Sequence, residues 1–76
     1  MKIKLTETRV SALMAARRGR LWPIGRTWRL RGARNQGYDE RTIGPMVQAG
    51  LLADVHGTRE ITDAGRARLA DLEGRR

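Results

Sequence analysis

The 76-residue chain contains no cysteine. No disulfide framework and no cysteine-based zinc site can therefore brace it, and the composition is compatible with a reducing cytosol. It also lacks any long apolar run. The longest, Ala12 to Ala16, falls far short of the ~18 residues a membrane span needs. The N-terminus, MKIKLTETRV, is basic but has no apolar stretch behind it, so no secretory signal is expected. The expected setting is the cytoplasm, with no membrane partner. Catalytic equipment is scarce too. His56 is the sole histidine and falls at an expected turn, and no Ser/His/Asp set, phosphate-cradling glycine loop or acid cluster with metal spacing occurs. We expect no enzyme, no catalytic residue, no metal and no cofactor. A chain this short makes one domain, 1–76, which buries only ~60–65% of its unfolded surface and has little room for a deep substrate cavity.

What is present is positive charge: 16 Lys plus Arg against 8 Asp plus Glu, a net +8. Of the cations 14 are Arg, a bias that a GC-rich genome alone could produce. Genome bias would not, however, sort the acids into one half. Residues 1–38 hold ten cations and a single acid, Glu7, while residues 39–76 hold six cations and seven acids. From Arg17 to Arg34 there are seven arginines and no acid. That asymmetry implies a surface that meets a polyanion, most commonly nucleic acid.

Local patterns predict the elements. Thr6 is a good N-cap, and Leu5 can staple onto Val10. Val10, Leu13 and Met14 have the spacing of one buried stripe, Arg17 and Arg18 suit the negative end of a helix, and Gly19 offers a left-handed stop. The reading is a helix over 7–18. From Leu21 to Leu30 the period changes to two. Trp22, Ile24, Trp28 and Leu30 are even-numbered, and Thr27, Arg29 and Arg31 odd, which predicts one apolar and one basic face. With Gly25–Arg26 as the reversal this makes a β-hairpin of roughly 20–31, and Pro23 places its strand at an edge. Residues 31–38, RGARNQGY, read as an exposed loop.

Asp39 caps the next helix, with Tyr38 set to staple onto Ile43. Ile43, Met46, Val47 and Leu51 point inward, and Gly50 ends the helix. Pro45 leaves two alternatives. A helix starting at Glu40 has the proline as its sixth residue and loses a bond to the carbonyl of Arg41, at a cost of ~3 kcal/mol. A cap at Thr42 puts it in the first turn, where it is tolerated. A kink or a short 3₁₀ entry over 39–42 is expected. Leu51 to Val55 and Thr58 to Ile61 form a second hairpin turning at His56–Gly57. Thr62 caps a last helix, with Gly65, Leu69 and Leu72 on one face, Gly65 allowing close packing, and Gly74 as its stop.

The second half, from Glu40 to Leu72, resembles the winged helix-turn-helix domains of bacterial and phage transcription regulators. The resemblance rests on Ala49-Gly50-Leu51-Leu52, where a recognition helix runs into the first wing strand, and on Ile61-Thr62-Asp63-Ala64-Gly65-Arg66, which opens the last helix. It covers roughly 39–73, with helix 7–18 as the first helix of the family. The implied fold is α+β: a small winged-helix domain of three helices, a C-terminal β-hairpin wing and an extra hairpin at 20–31. The sequence departs from the family between the first and recognition helices, where Trp22, Pro23, Gly25, Gly32 and Gly37 fit a hairpin and loop better than a second helix.

The resemblance implies sequence-specific binding of duplex DNA by a small transcriptional regulator of a phage, prophage or mobile element. Arg17, Arg18, Arg20, Arg26, Arg29, Arg31 and Arg34 would supply phosphate contacts, with Asn35, Gln36, Arg41 and Gln48 near the bases and Arg59 at the wing. The alternative is a protein-binding winged-helix module, such as a phage-encoded inhibitor of a host nucleic-acid-processing complex. In a third reading Trp22, Trp28 and Tyr38 stack on unpaired bases. A homodimer, through helix 7–18 or the last helix, would match a palindromic site.

Overall fold

The structure, a computed structural model, describes residues 3–32 and 37–74. The element order is α1 (Glu7–Arg18), β1 (Leu21–Ile24), β2 (Thr27–Leu30), α2 (Glu40–Gln48), β3 (Leu52–Val55), β4 (Thr58–Ile61) and α3 (Asp63–Gly74). Three helices thus accompany one four-stranded antiparallel sheet in the order β2-β1-β4-β3, a small α+β domain.

Helix α1 starts where expected. The Thr6 hydroxyl accepts from Arg9 N–H at 3.3 Å. Its stop is different. Gly19 is extended, at φ 173°, and any residue could adopt that conformation, so no left-handed cap is used. The buried stripe also shifts. Ala12, Leu13, Ala15 and Ala16 face the core, Val10 is half-buried and Met14 is 42% exposed. Small alanines let α1 lie close to the sheet, and Met14 is left on the opposite side.

The first hairpin forms as expected, but its faces do not. Pairs run Leu21↔Leu30, Trp22↔Arg29, Pro23↔Trp28 and Ile24↔Thr27. Directly paired residues share a face. Across a two-residue turn every even residue therefore meets an odd one, and the even-numbered apolar set is split. Leu21, Trp28 and Leu30 turn inward, where Leu21 is fully buried. Trp22 and Ile24 share the other face with Arg29 and Thr27. Strand β1 is not an edge either, since its first residue pairs with β4 at Leu21↔Arg59. Pro23 lies beyond that rung. Opposite it, Trp28 exchanges both main-chain bonds with Tyr38 (2.7 and 2.8 Å), so the missing proline N–H forfeits no bond to β2.

The expected exposed loop thus ends in structure. Gly37 and Tyr38 are half-buried, and the Tyr38 hydroxyl lies 2.6 Å from Ser11 Oγ on α1. Gly37 is obligatory, because a Cβ there would collide with Thr27.

Helix α2 takes the earlier start. Asp39 Oδ1 accepts from Thr42 N–H at 3.1 Å, and the Asp39 carbonyl accepts from both Thr42 and Ile43 N–H at 3.1 Å; the helix is α from Glu40, so the expected 3₁₀ entry over 39–42 shrinks to one shared bond. Pro45 stays in the helix interior, and Gly44 before it has no Cβ to meet the proline ring. Gly50, at φ +79°, closes the helix in a Schellman arrangement: its N–H donates to the Val47 carbonyl at 3.1 Å, and Leu51 N–H to that of Met46 at 2.9 Å.

Thr62 joins this corner to α3. It accepts from Gly65 N–H at 3.0 Å, donates its hydroxyl to the Gly50 carbonyl, and donates its main-chain N–H to the Leu51 carbonyl at 3.1 Å. Gly65 packs against that Leu51 carbonyl so closely that a Cβ would overlap it. The two sequence signatures, Gly50-Leu51 and Thr62 to Gly65, are therefore two sides of one corner, and their chemistry there is structural. Leu13, Leu21, Ile43, Met46, Leu52 and Leu69 fill the core.

Candidate nucleic-acid interface

The hairpin face turned away from the core carries Trp22, Ile24, Thr27 and Arg29. Thr27 organises it. Its hydroxyl donates to the Ile24 carbonyl at 3.0 Å and accepts from Arg29 Nε and Nη2, both at 3.3 Å, which aims that guanidinium along the sheet. Arg31 lies with its guanidinium carbon 4.6 Å from the centroid of the Trp22 ring. A cation stacked in this way keeps its charge and its outward N–H donors while the indole fixes its position.

Where the end of α1 meets this hairpin there is an open groove of about 430 Å³. It is lined by Arg18, Gly19, Arg20, Trp22, Leu30, Arg31 and Gly32 and by no acid. Arg18 sits in the last turn of α1, where exposed helix carbonyls favour a cation. Arg20 is half-exposed and forms a long ion pair with Glu60 on β4, at 3.8 Å. Arg26 stands exposed at the hairpin turn. Three guanidinium groups around an indole, of which Arg20 alone also faces a carboxylate (Glu60), suit phosphate oxygens that lie beside a sugar or base.

Several expected contacts have other partners. Arg17 donates to Glu73 on α3 at 2.8 and 3.3 Å, and this carboxylate, by hydrogen bonding and then by charge, raises the Arg17 pKa further. It fastens the ends of α1 and α3 together rather than facing outward alone. Arg59, expected at the wing, folds inward. Its guanidinium carbon is 4.1 Å from the Trp28 ring centroid, its Nη1 is 2.9 Å from Asp54 Oδ1, and its side chain is only 14% exposed. The β3–β4 turn is left with His56 and Gly57, at φ 51° and 82°. Trp28 is no free stacking platform, since it packs on the core and donates Nε1–H to Glu40 Oε2 at 3.1 Å. Tyr38 is held between β2 and Ser11.

Arg41 and Gln48, seven residues apart on α2, are both exposed, but no hydrogen bond or ion pair ties them to the hairpin cations among the described residues. Arg34, Asn35 and Gln36 lie outside the described residues. The structure thus brings together Arg18, Arg20 and Arg31, adds Arg29 and Arg26 on the same hairpin, and withdraws Arg17 and Arg59. Trp22 was expected only as a stacking platform for unpaired bases, not among the duplex contacts. The signal that could have placed it among them is the parity switch of a two-residue turn, which puts it beside Arg29. Among the described residues no group of three or more His, Asp or Glu could hold a metal, and no helix is long and apolar enough to cross a membrane. No family model, curated protein or solved structure matches this chain.

Proposed function

We propose that the protein binds nucleic acid, as a small sequence-specific duplex DNA-binding protein related to winged-helix regulators. The observation that carries the reading is the acid-free groove of Arg18, Arg20 and Arg31 around Trp22. In this reading the β1–β2 hairpin grips the phosphate backbone, as does the end of α1, and Arg41 and Gln48 on α2 reach base edges. The run from α2 through β3 and β4 to α3 supports the winged-helix relationship, with the hairpin standing where the family has its second helix. A role as regulator of a phage, prophage or mobile element follows from that resemblance.

Fluorescence anisotropy with a labelled duplex at two salt concentrations tests the reading. With Arg18, Arg20, Arg26, Arg29 and Arg31 engaged, about five phosphates are neutralised, and log affinity should fall against log salt with a slope of roughly −4 to −5. Absence of binding at low salt, or binding indifferent to salt, would sink it. One observation favours the alternative, a protein-binding module: Ile24 is 41% exposed on the same hairpin face. A partner retained from lysate after nuclease treatment, together with no duplex binding, is the result that reading requires.

A further inference from the structure

The tip of the β1–β2 hairpin combines two chemistries. Pro23, Ile24, Gly25 and Arg26 are all exposed, Ile24 at 41%, although a branched aliphatic side chain is usually buried. The tip is also slim. Gly25 turns the chain at φ +63° and brings no side chain, and the space where a Cβ would stand is open. The Thr27 hydroxyl donates to the Ile24 carbonyl at 3.0 Å and ties the two sides of the turn together. Ile24 shares its face with Thr27 and, two rungs further in, with Trp22 and Arg29.

One exposed apolar side chain does not name its partner, but its surroundings do. Arg26 stands two residues beyond Ile24, Arg29 lies on the same face, and the hairpin contains no acid. A protein strand added at β2 would find the main chain of Trp28 already bonded to Tyr38. An apolar protein patch closing over Ile24 would strip water from Arg26 and Arg29 and offer no counter-charge. Duplex DNA meets both needs at once, with an apolar gap between base pairs and phosphates on either side of it.

We propose that Ile24 is a wedge that enters a base step from the minor groove and kinks the duplex, while Arg26 and Arg29 hold the flanking phosphates. The proposal rests on the duplex-binding reading and deepens it, since the hairpin then deforms the DNA that it grips. Pyrimidine–purine steps unstack most easily and are the preferred targets.

The test uses a duplex of about 20 base pairs with a central TA step. Energy transfer between dyes at its two ends reports bending, and 2-aminopurine beside the step reports unstacking through a rise in fluorescence. The intact chain should bend this duplex by roughly 20–90° and raise the 2-aminopurine signal. Ile24→Ser removes no cation, so it should bind with an unchanged salt slope and about tenfold weaker affinity, leaving the duplex straight and the base stacked. Ile24→Leu keeps an apolar wedge and should keep the bend. Circular dichroism should be the same for all three proteins, because Ile24 lies outside the core. Binding by the intact chain to a duplex that stays straight overturns the wedge and leaves the duplex-binding reading standing. So does an Ile24→Ser variant that bends the duplex as the intact chain does. Failure of the intact chain to bind duplex at low salt overturns both, and a nuclease-resistant lysate partner lost in Ile24→Ser would then mark the tip as a protein contact.

Discussion

A single hydrogen atom at position 65 decides whether α3 can dock. Gly65 is buried against the Leu51 carbonyl, and a methyl group would overlap both that oxygen and the Ile61 side chain. Because the carbonyl belongs to the backbone corner that Thr62 also clasps, neither side can give way cheaply. Gly65→Ala should therefore cost about 2–3 kcal/mol in urea denaturation, a large share of the ~4–11 kcal/mol available to a domain of this length. Gly57→Ala is the control. Gly57 needs φ +82° but has open space around it, so only the backbone penalty of about 1–2 kcal/mol applies. The glycine at 65 could be read from sequence as a site of close approach, but its partner could not, because Leu51 lies fourteen residues earlier and belongs to a different helix end.

The helices and turns were legible in the residues because their signals are local. Thr6 and Asp39 cap through side chains three residues from the amides they serve, and Gly50 and Gly57 take the positive φ that their turns require. The hairpin was legible in extent and wrong in orientation, since alternation along each strand says nothing about parity across a two-residue reversal. The join of the two hairpins and the Tyr38 bridge depend on contacts between distant segments and leave no local trace. The same limit applies to the candidate site. The basic segment was visible as charge, but which arginines are consumed internally was not: Arg17 meets Glu73 fifty-six residues away, and Arg59 stacks on Trp28. Two substitutions separate these roles. Arg31→Ala should leave stability within about 0.5 kcal/mol and reduce the salt slope of duplex binding by about one. Arg59→Ala should lower stability by about 1–2 kcal/mol, through the lost ring and carboxylate contacts, and leave the slope unchanged. Denaturation and anisotropy on the same two proteins check both.

Across the whole molecule, the acids of the second half are spent on internal partners. Glu73 holds Arg17, Asp54 holds Arg59, Asp63 lies 3.5 Å from Arg66, and Glu40 accepts from Trp28. Five cations, Arg18, Arg20, Arg26, Arg29 and Arg31, remain on the hairpin side and the end of α1, Arg20 alone of them with a carboxylate, Glu60 at 3.8 Å. That hairpin is joined to the rest of the sheet by one register pair, Leu21↔Arg59. The consequence is a difference in motion. Opening confined to the Ile24–Thr27 end breaks only bonds within β1 and β2, while Leu21, Trp28 and Leu30 stay on the core. In native-state hydrogen exchange, the amides of Ile24 and Thr27 should exchange through a local opening that ignores mild denaturant. The amides of Arg59 and Ile61 should follow global unfolding. The hairpin tip, with Arg26 and Arg29, would then behave as a hinged flap, able to adjust its pitch to a curved polyanion while Arg18, Arg20 and Arg31 stay fixed on the scaffold.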